Sequence, residues 1–200
     1  MANIADCNVL IEPNWEKLGK VITMEREFDT EQDTAFESQK SSTKITVNYE
    51  EMLKVLKEHG IEATMPRISY TRSLRLIYNP NIKKVLLEWI FDAAWGFPAE
   101  VEDWLNAIEV PYQLGVVENG CEVEGVEGEE FGMELLYRTQ CDDCGMEKFY
   151  HDKDERDKDA FKDGKDGKSH LTCPECGSQT EVCLDTVLEY DFTPIEVAGT

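Results

Sequence analysis

Cys141-Asp-Asp-Cys144-Gly145, then a charged spacer, then Cys173-Pro-Glu-Cys176-Gly177 is the stretch from which this chain is best read. A Cys-x-x-Cys spacing turns both sulfurs of one tight loop toward a single point, and two such loops complete a tetrahedron. The glycine after each pair suits that geometry, because a turn wrapped around a metal tends to need positive φ, where glycine carries no Cβ penalty. The spacing predicts a metal site made by Cys141, Cys144, Cys173 and Cys176. Four thiolates close such a site and leave no open position for water or substrate.

Residues 135–192 resemble a zinc ribbon. Leu135-Leu-Tyr-Arg-Thr-Gln-Cys141 leads into the first knuckle, and Cys173-Pro-Glu-Cys176-Gly-Ser178 forms the second. The resemblance implies two knuckles on short antiparallel hairpins around a structural Zn2+ held by the four cysteines. It specifies a metal but not a function, since zinc ribbons occur in nucleic-acid machinery, in enzyme accessory domains and in viral proteins. The spacing also resembles rubredoxin, a small acidic iron protein, and four thiolates suit zinc or iron alike. Rubredoxins place an aromatic residue just after the first knuckle and another just before the second. Here those places hold Met146 and His170-Leu-Thr, so zinc is favoured over iron.

Charge is the second informative feature. Asp and Glu number 42 against 20 Lys and Arg, a formal net charge of −22. Residues 1–115 hold 19 acids and 12 bases, and residues 116–200 hold 23 acids and 8 bases. Such a surface repels phosphate backbones, which argues against direct nucleic-acid binding. It leaves two readings: a soluble acidic protein, or a nucleic-acid mimic that occupies the basic cleft of a DNA- or RNA-handling enzyme. The first residues, Met1-Ala-Asn-Ile-Ala-Asp, lack the basic-then-apolar pattern of a secretion signal. The longest apolar run, Val85 to Phe91, is interrupted by Glu88 and is far short of a membrane span. Seven cysteines, four at metal spacing, suit a reducing interior. The expectation is an intracellular, cytoplasmic protein, of a cell or of a virus in its host.

Before the cysteines the chain reads as mixed α and β. Val9-Leu10-Ile11 and Val21 to Met24 are short apolar runs, and Asp29 to Thr43 reads as a loop. Ile45-Thr-Val47 reads as a strand. Asn48-Tyr-Glu-Glu51 has the form of a capping box for a helix that Gly60 ends, with His59 placed structurally in the last turn. Ile68 to Tyr78 alternates as a strand, with Arg67, Arg72 and Arg75 on its solvent side. Ile82, Val85, Leu86, Trp89, Ile90 and Ala93 fall at helical spacing and predict a helix, followed by a second over about 98–108. Trp89, Trp95 and Trp104 read as core. The acidic start of the second helix argues against a DNA-reading helix-turn-helix. Asn119-Gly120 suits a type I′ hairpin, Glu124 to Glu130 reads as a connector, and Asp152 to Lys168 as a solvated loop.

No catalytic constellation emerges. An EF-hand starting at Asp159 would need ligands where Phe161 and His170 stand, and a P-loop ending at Ser169 would open on Lys162. Cys7, Cys121 and Cys183 have no partner pattern and read as small buried hydrophobes. The expectation is an α+β protein: a mixed domain over 1–115 with about three short helices, then a β-rich, zinc-ribbon-containing acidic domain over 116–200. Functionally it reads as a non-catalytic interaction protein with a protein partner or self-assembly, without a small-molecule substrate. The mimic-type inhibitor and rubredoxin-like electron transfer stand as alternatives.

Overall fold

The computed structural model describes residues 4–28, 41–118, 124–163, 169–178 and 182–195. The first part of the chain forms β1 (Ile4–Ile11), α1 (Trp15–Leu18), β2 (Ile22–Phe28), β3 (Ser41–Val47) and α2 (Tyr49–Glu58). It continues through β4 (Ile68–Asn79), β5 (Lys84–Ala94), α3 (Ala99–Ala107), β6 (Tyr112–Val117) and β7 (Glu124–Gly128). The cysteine-bearing part follows with β8 (Glu134–Cys141), β9 (Glu147–Tyr150), α4 (Lys153–Ala160), β10 (Phe161–Asp163), β11 (Ser169–Leu171), β12 (Val182–Glu189) and β13 (Thr193–Pro194). A six-stranded sheet in the order β13-β4-β5-β1-β6-β7 and a three-stranded sheet β12-β8-β9 are the main layers. All pairings in them are antiparallel. The molecule is strand-rich with four helices among the described residues, a mixed α+β architecture.

The weak apolar run Val9-Leu10-Ile11 lies in a strand flanked on both sides, by β5 and β6. Successive side chains of a strand point to opposite faces, and here both faces are covered. Ala5, Cys7, Val9 and Ile11 face a core completed by Leu87, Trp89, Phe91 and Ala93 of β5 and by Met52, Leu56, Val101, Trp104 and Leu105 of the helices. Trp89 and Phe91 pack at 4.7 Å between ring centroids, and Phe91 meets Phe97 at 5.8 Å. Each large apolar side chain fully buried there contributes about 1.5–3 kcal/mol. α2 follows its sequence signals: the Asn48 side-chain oxygen accepts from the Glu51 amide at 3.2 Å, and Gly60 has φ 77°. Glu51 completes no capping box and instead accepts from Lys54 Nζ at 2.6 Å.

The helix expected over 82–93 is a strand. The apolar residues there satisfy a helical period, but a strand covered on both faces produces the same near-continuous run. Leu87, Trp89, Phe91 and Ala93 turn to the helical side, while Leu86 joins Leu10, Ile77, Phe131 and Met133 on the other. Two further expectations change. Glu124–Gly128 is not a connector but an edge strand paired with β6. Within Asp152–Lys168, residues 153–160 form a helix rather than a solvated loop. Asp152 caps that helix by accepting from the Glu155 amide at 3.0 Å, and Arg156, only 5% exposed, donates to the Asp185 carbonyl at 3.1 Å. The Asn119-Gly120 turn, most of the 29–43 segment and residues 164–168 lie outside the described residues. Position 115/116, where the sequence suggests a boundary, falls inside β6.

The second face of the large sheet carries the cysteine-bearing part. Gln113, buried, donates to the Met133 carbonyl at 3.1 Å and accepts from the Phe131 and Met133 amides, both at 3.0 Å. Asn79 Nδ2 donates to the Phe131 carbonyl at 2.8 Å. Together they hold residues 131–133 on the sheet. Gly115 leaves room there, since a Cβ would come within 2.5 Å of Met133 Sδ and 2.7 Å of Leu188 Cδ2. Gly128 is under stronger constraint: its φ is +99°, and a Cβ would collide with the Tyr112 carbonyl oxygen. Gly128→Ala is expected to cost about 1–3 kcal/mol, read as a lowered denaturant midpoint with an unchanged slope.

Candidate metal centre

Both knuckles are turns at strand ends. Cys141 closes β8, and its carbonyl accepts from the Gly145 amide at 2.8 Å while its own amide donates to Met146 O at 3.0 Å. The second knuckle repeats the arrangement: the Gly177 amide donates to Cys173 O at 3.0 Å, and the Cys173 amide to Ser178 O at 2.7 Å. Gly145 and Gly177 have φ of 70° and 77°. This is the left-handed backbone that each loop needs to bring its second sulfur round.

The four sulfurs lie within 4.8 Å of one another. Cys141–Cys176 and Cys144–Cys173 are each separated by 3.8 Å. A tetrahedron with metal–sulfur bonds of about 2.3 Å has edges of about 3.8 Å, whereas a disulfide needs about 2.05 Å. The donors therefore fit one tetrahedral, thiophilic ion, and all four cysteines are free of disulfides. Cys141 and Cys173 are buried while Cys144 and Cys176 are exposed, so one sulfur of each knuckle faces the interior. Met146, Leu171 and Leu184 pack against the buried pair.

Thiol ionisation is uneven. Burial acts upward on Cys173, but the Cys176 and Glu175 amides outweigh it and bring this thiol down to about 7. At Cys144 the Met146 amide acts downward, yet desolvation and hydrogen bonding with the other thiols push it up to about 12. A metal entering this cluster displaces protons, so its affinity rises with pH.

The supporting sheet is tied by charge. Arg138 and Asp185 are directly opposite on β8 and β12 and make a bidentate pair, 2.9 Å from Nε and 2.5 Å from Nη2. Arg138 Nη1 also reaches Glu147 of β9 at 3.1 Å. Arg156 of α4 lies over the Tyr137 ring, 5.4 Å from its centroid.

The other residues singled out from sequence are elsewhere. Cys7 is in the core, and burial pushes its thiol up to about 12. Cys183 lies on β12, and Cys121 is outside the described residues. His59 ends α2, its Nδ1 2.9 Å from Val55 O, and His151 lies 3.6 Å from Glu134. Trp89 and Trp104 are fully buried, but Trp95 is 61% exposed with φ +69°. No helix among the described residues is long and apolar enough to cross a membrane.

The arginines of β4 are partly exposed and are paired with carboxylates. Arg72 reaches Asp6 at 2.5 Å and Asp92 at 2.8 Å. Arg75 pairs with Glu88, which is fully buried, through Nε at 2.6 Å and Nη2 at 3.3 Å. Ser73 and Tyr190 hydroxyls also donate to Glu88, each at 2.8 Å. Burial and the Glu88 charge hold the Tyr190 hydroxyl far above the ordinary phenol range. Sequence alone marks Glu88, which interrupts the 85–91 apolar run, and Arg75 on β4, but not their pairing. No protein-family model, curated protein or solved structure matches this chain.

Proposed function

We propose that residues 135–192 form a zinc ribbon and that the protein is a non-catalytic interaction protein, an adaptor or assembly component whose zinc stabilises a small binding module. The closed four-sulfur geometry carries this reading: a tetrahedron with all vertices filled by thiolates gives stability without an open coordination position. Aliphatic packing by Met146, Leu171 and Leu184 favours zinc over a rubredoxin-like iron site, where aromatic residues would stand. Trp95, exposed and held in a left-handed conformation, supplies an apolar anchor of the kind interfaces use.

The second reading is a nucleic-acid mimic, favoured by the net charge of −22 and by the 23 acids in residues 116–200. Salt separates the two. A tagged pull-down from the native source, washed at low and high salt, is expected to retain its partner at high salt and to lose it in Trp95→Ala. Release of a nucleic-acid enzyme by high salt alone would overturn the adaptor and establish the mimic, because salt screens charge pairing at exposed surfaces.

A further inference from the structure

Between the second face of the large sheet and the β8–β12 pair runs a cleft of about 590 Å³. That volume falls within the roughly 300–1,000 Å³ of small-molecule sites. A recess of about 240 Å³ adjoins it, and both are lined by Asn8, Ile90 and Leu188.

Asn8 carries the argument. It sits in the middle of β1, opposite Ile90 on one side and Gly115 on the other. The residue is 9% exposed and lines the cleft, and its side chain has no hydrogen-bond partner among the described residues. The other buried amides on this face, Gln113 and Asn79, are fully engaged with backbone groups. The Asn8 carboxamide atoms are not sealed from solvent, and a ligand in the cleft would replace water as their partner.

The rim selects the sign of that ligand. Arg75 is occupied by Glu88, which leaves Glu134, Glu189 and Asp191 among the lining residues. Glu134 and Glu189 stand directly opposite each other on β8 and β12, an arrangement of like charges that destabilises a strand pair. His151 approaches Glu134 at 3.6 Å but is 80% exposed, and among the described residues Asp191 accepts a neutral amide, from Asn81 at 2.8 Å. Leu136, Leu188 and Ile90 give the cleft apolar walls. We propose that it binds a small organic cation of the alkylammonium or alkylguanidinium class. One end hydrogen-bonds to Asn8, the chain lies against the leucines and Ile90, and the charge rests between Glu134 and Glu189. The cation is either a free compound or the side chain of a lysine or arginine presented by another molecule. None of the four cysteines lines this cleft.

The test is an NMR titration of the full chain with agmatine, spermidine and the peptide acetyl-Gly-Arg-Gly-amide. Salt is kept at about 0.15 M, which screens diffuse attraction to the acidic surface. The expected result is a saturable displacement of the Asn8 side-chain amide signals by at least one probe. Asn8→Leu should abolish it. Glu189→Gln, at an exposed position that leaves the floor intact, should weaken it roughly tenfold; this variant carries the test alone if Asn8→Leu misfolds. Binding of agmatine or spermidine without the peptide identifies a free cation as the source, and binding of the peptide identifies a side chain. Shifts spread over the acidic surface without saturation, an unmoved Asn8, or unchanged affinity in either variant would overturn the proposal.

Discussion

Replacing Cys144 or Cys176 by serine is expected to release the metal and to unfold residues 131–192 while the large sheet and its helices stay folded. The reason is the size of what remains. Around the cysteines, among the described residues, Met146, Leu171 and Leu184 supply the apolar packing to the buried sulfurs, and a three-stranded sheet of this kind has little core of its own. In small modules the apparent free energy of structural zinc is about 10–16 kcal/mol, far more than three aliphatic side chains contribute at about 1.5–3 kcal/mol each. Hydrogen exchange should show amides of β8, β9 and α4 losing protection while those of β1, β5, α2 and α3 keep it. A metal-free variant with β8 and β9 still protected would show that the ion is not what holds this part together.

Arg75→Met is expected to cost about 3 kcal/mol. Glu88 is fully buried, and Arg75 is the cation that compensates it. Removing one partner of a buried ion pair costs about 3–5 kcal/mol because the other charge is left without compensation. The Arg75 side chain is 41% exposed, so water screens part of the interaction and the lower end applies. In a chain of this length that lowers Tm by about 6–12 °C. The double variant Arg75→Met/Glu88→Leu should recover much of the loss, since both charges are then gone. Calorimetry that finds the single variant within a degree or two of the parent would show that the pair contributes little.

What could be read from the sequence follows from how local each feature is. The knuckles are fixed by residues three apart and by the glycine after them, so their spacing alone pointed to the four cysteines that the fold brings together. α2 was legible for the same reason: Asn48 and Gly60 act within one turn of the helix ends. β4 showed its period of two. β5 was hidden because the fold buries both of its faces, and a run such as Val85 to Ile90 fits either period when neither face must be polar. β7 has a single apolar side chain, Val126, and is a strand because β6 offers it a ladder. α4 has no apolar stripe; it is held through Arg156, which beside its neighbour Asp157 reaches Tyr137 and Asp185, many residues away. The polar floor of the cleft is the least local feature. Asn8, Arg75, Glu88 and Tyr190 come from four strands or strand ends, and only the register of those strands brings them together.

The most direct measurement is the metal content of the full chain, purified under reducing conditions, beside the Cys144→Ser/Cys176→Ser double variant. One zinc per chain that survives gel filtration, a colourless protein, and no bound zinc in the double variant are expected. An iron-coloured protein, a parent without metal, or zinc retained after both cysteines are replaced would contradict this expectation.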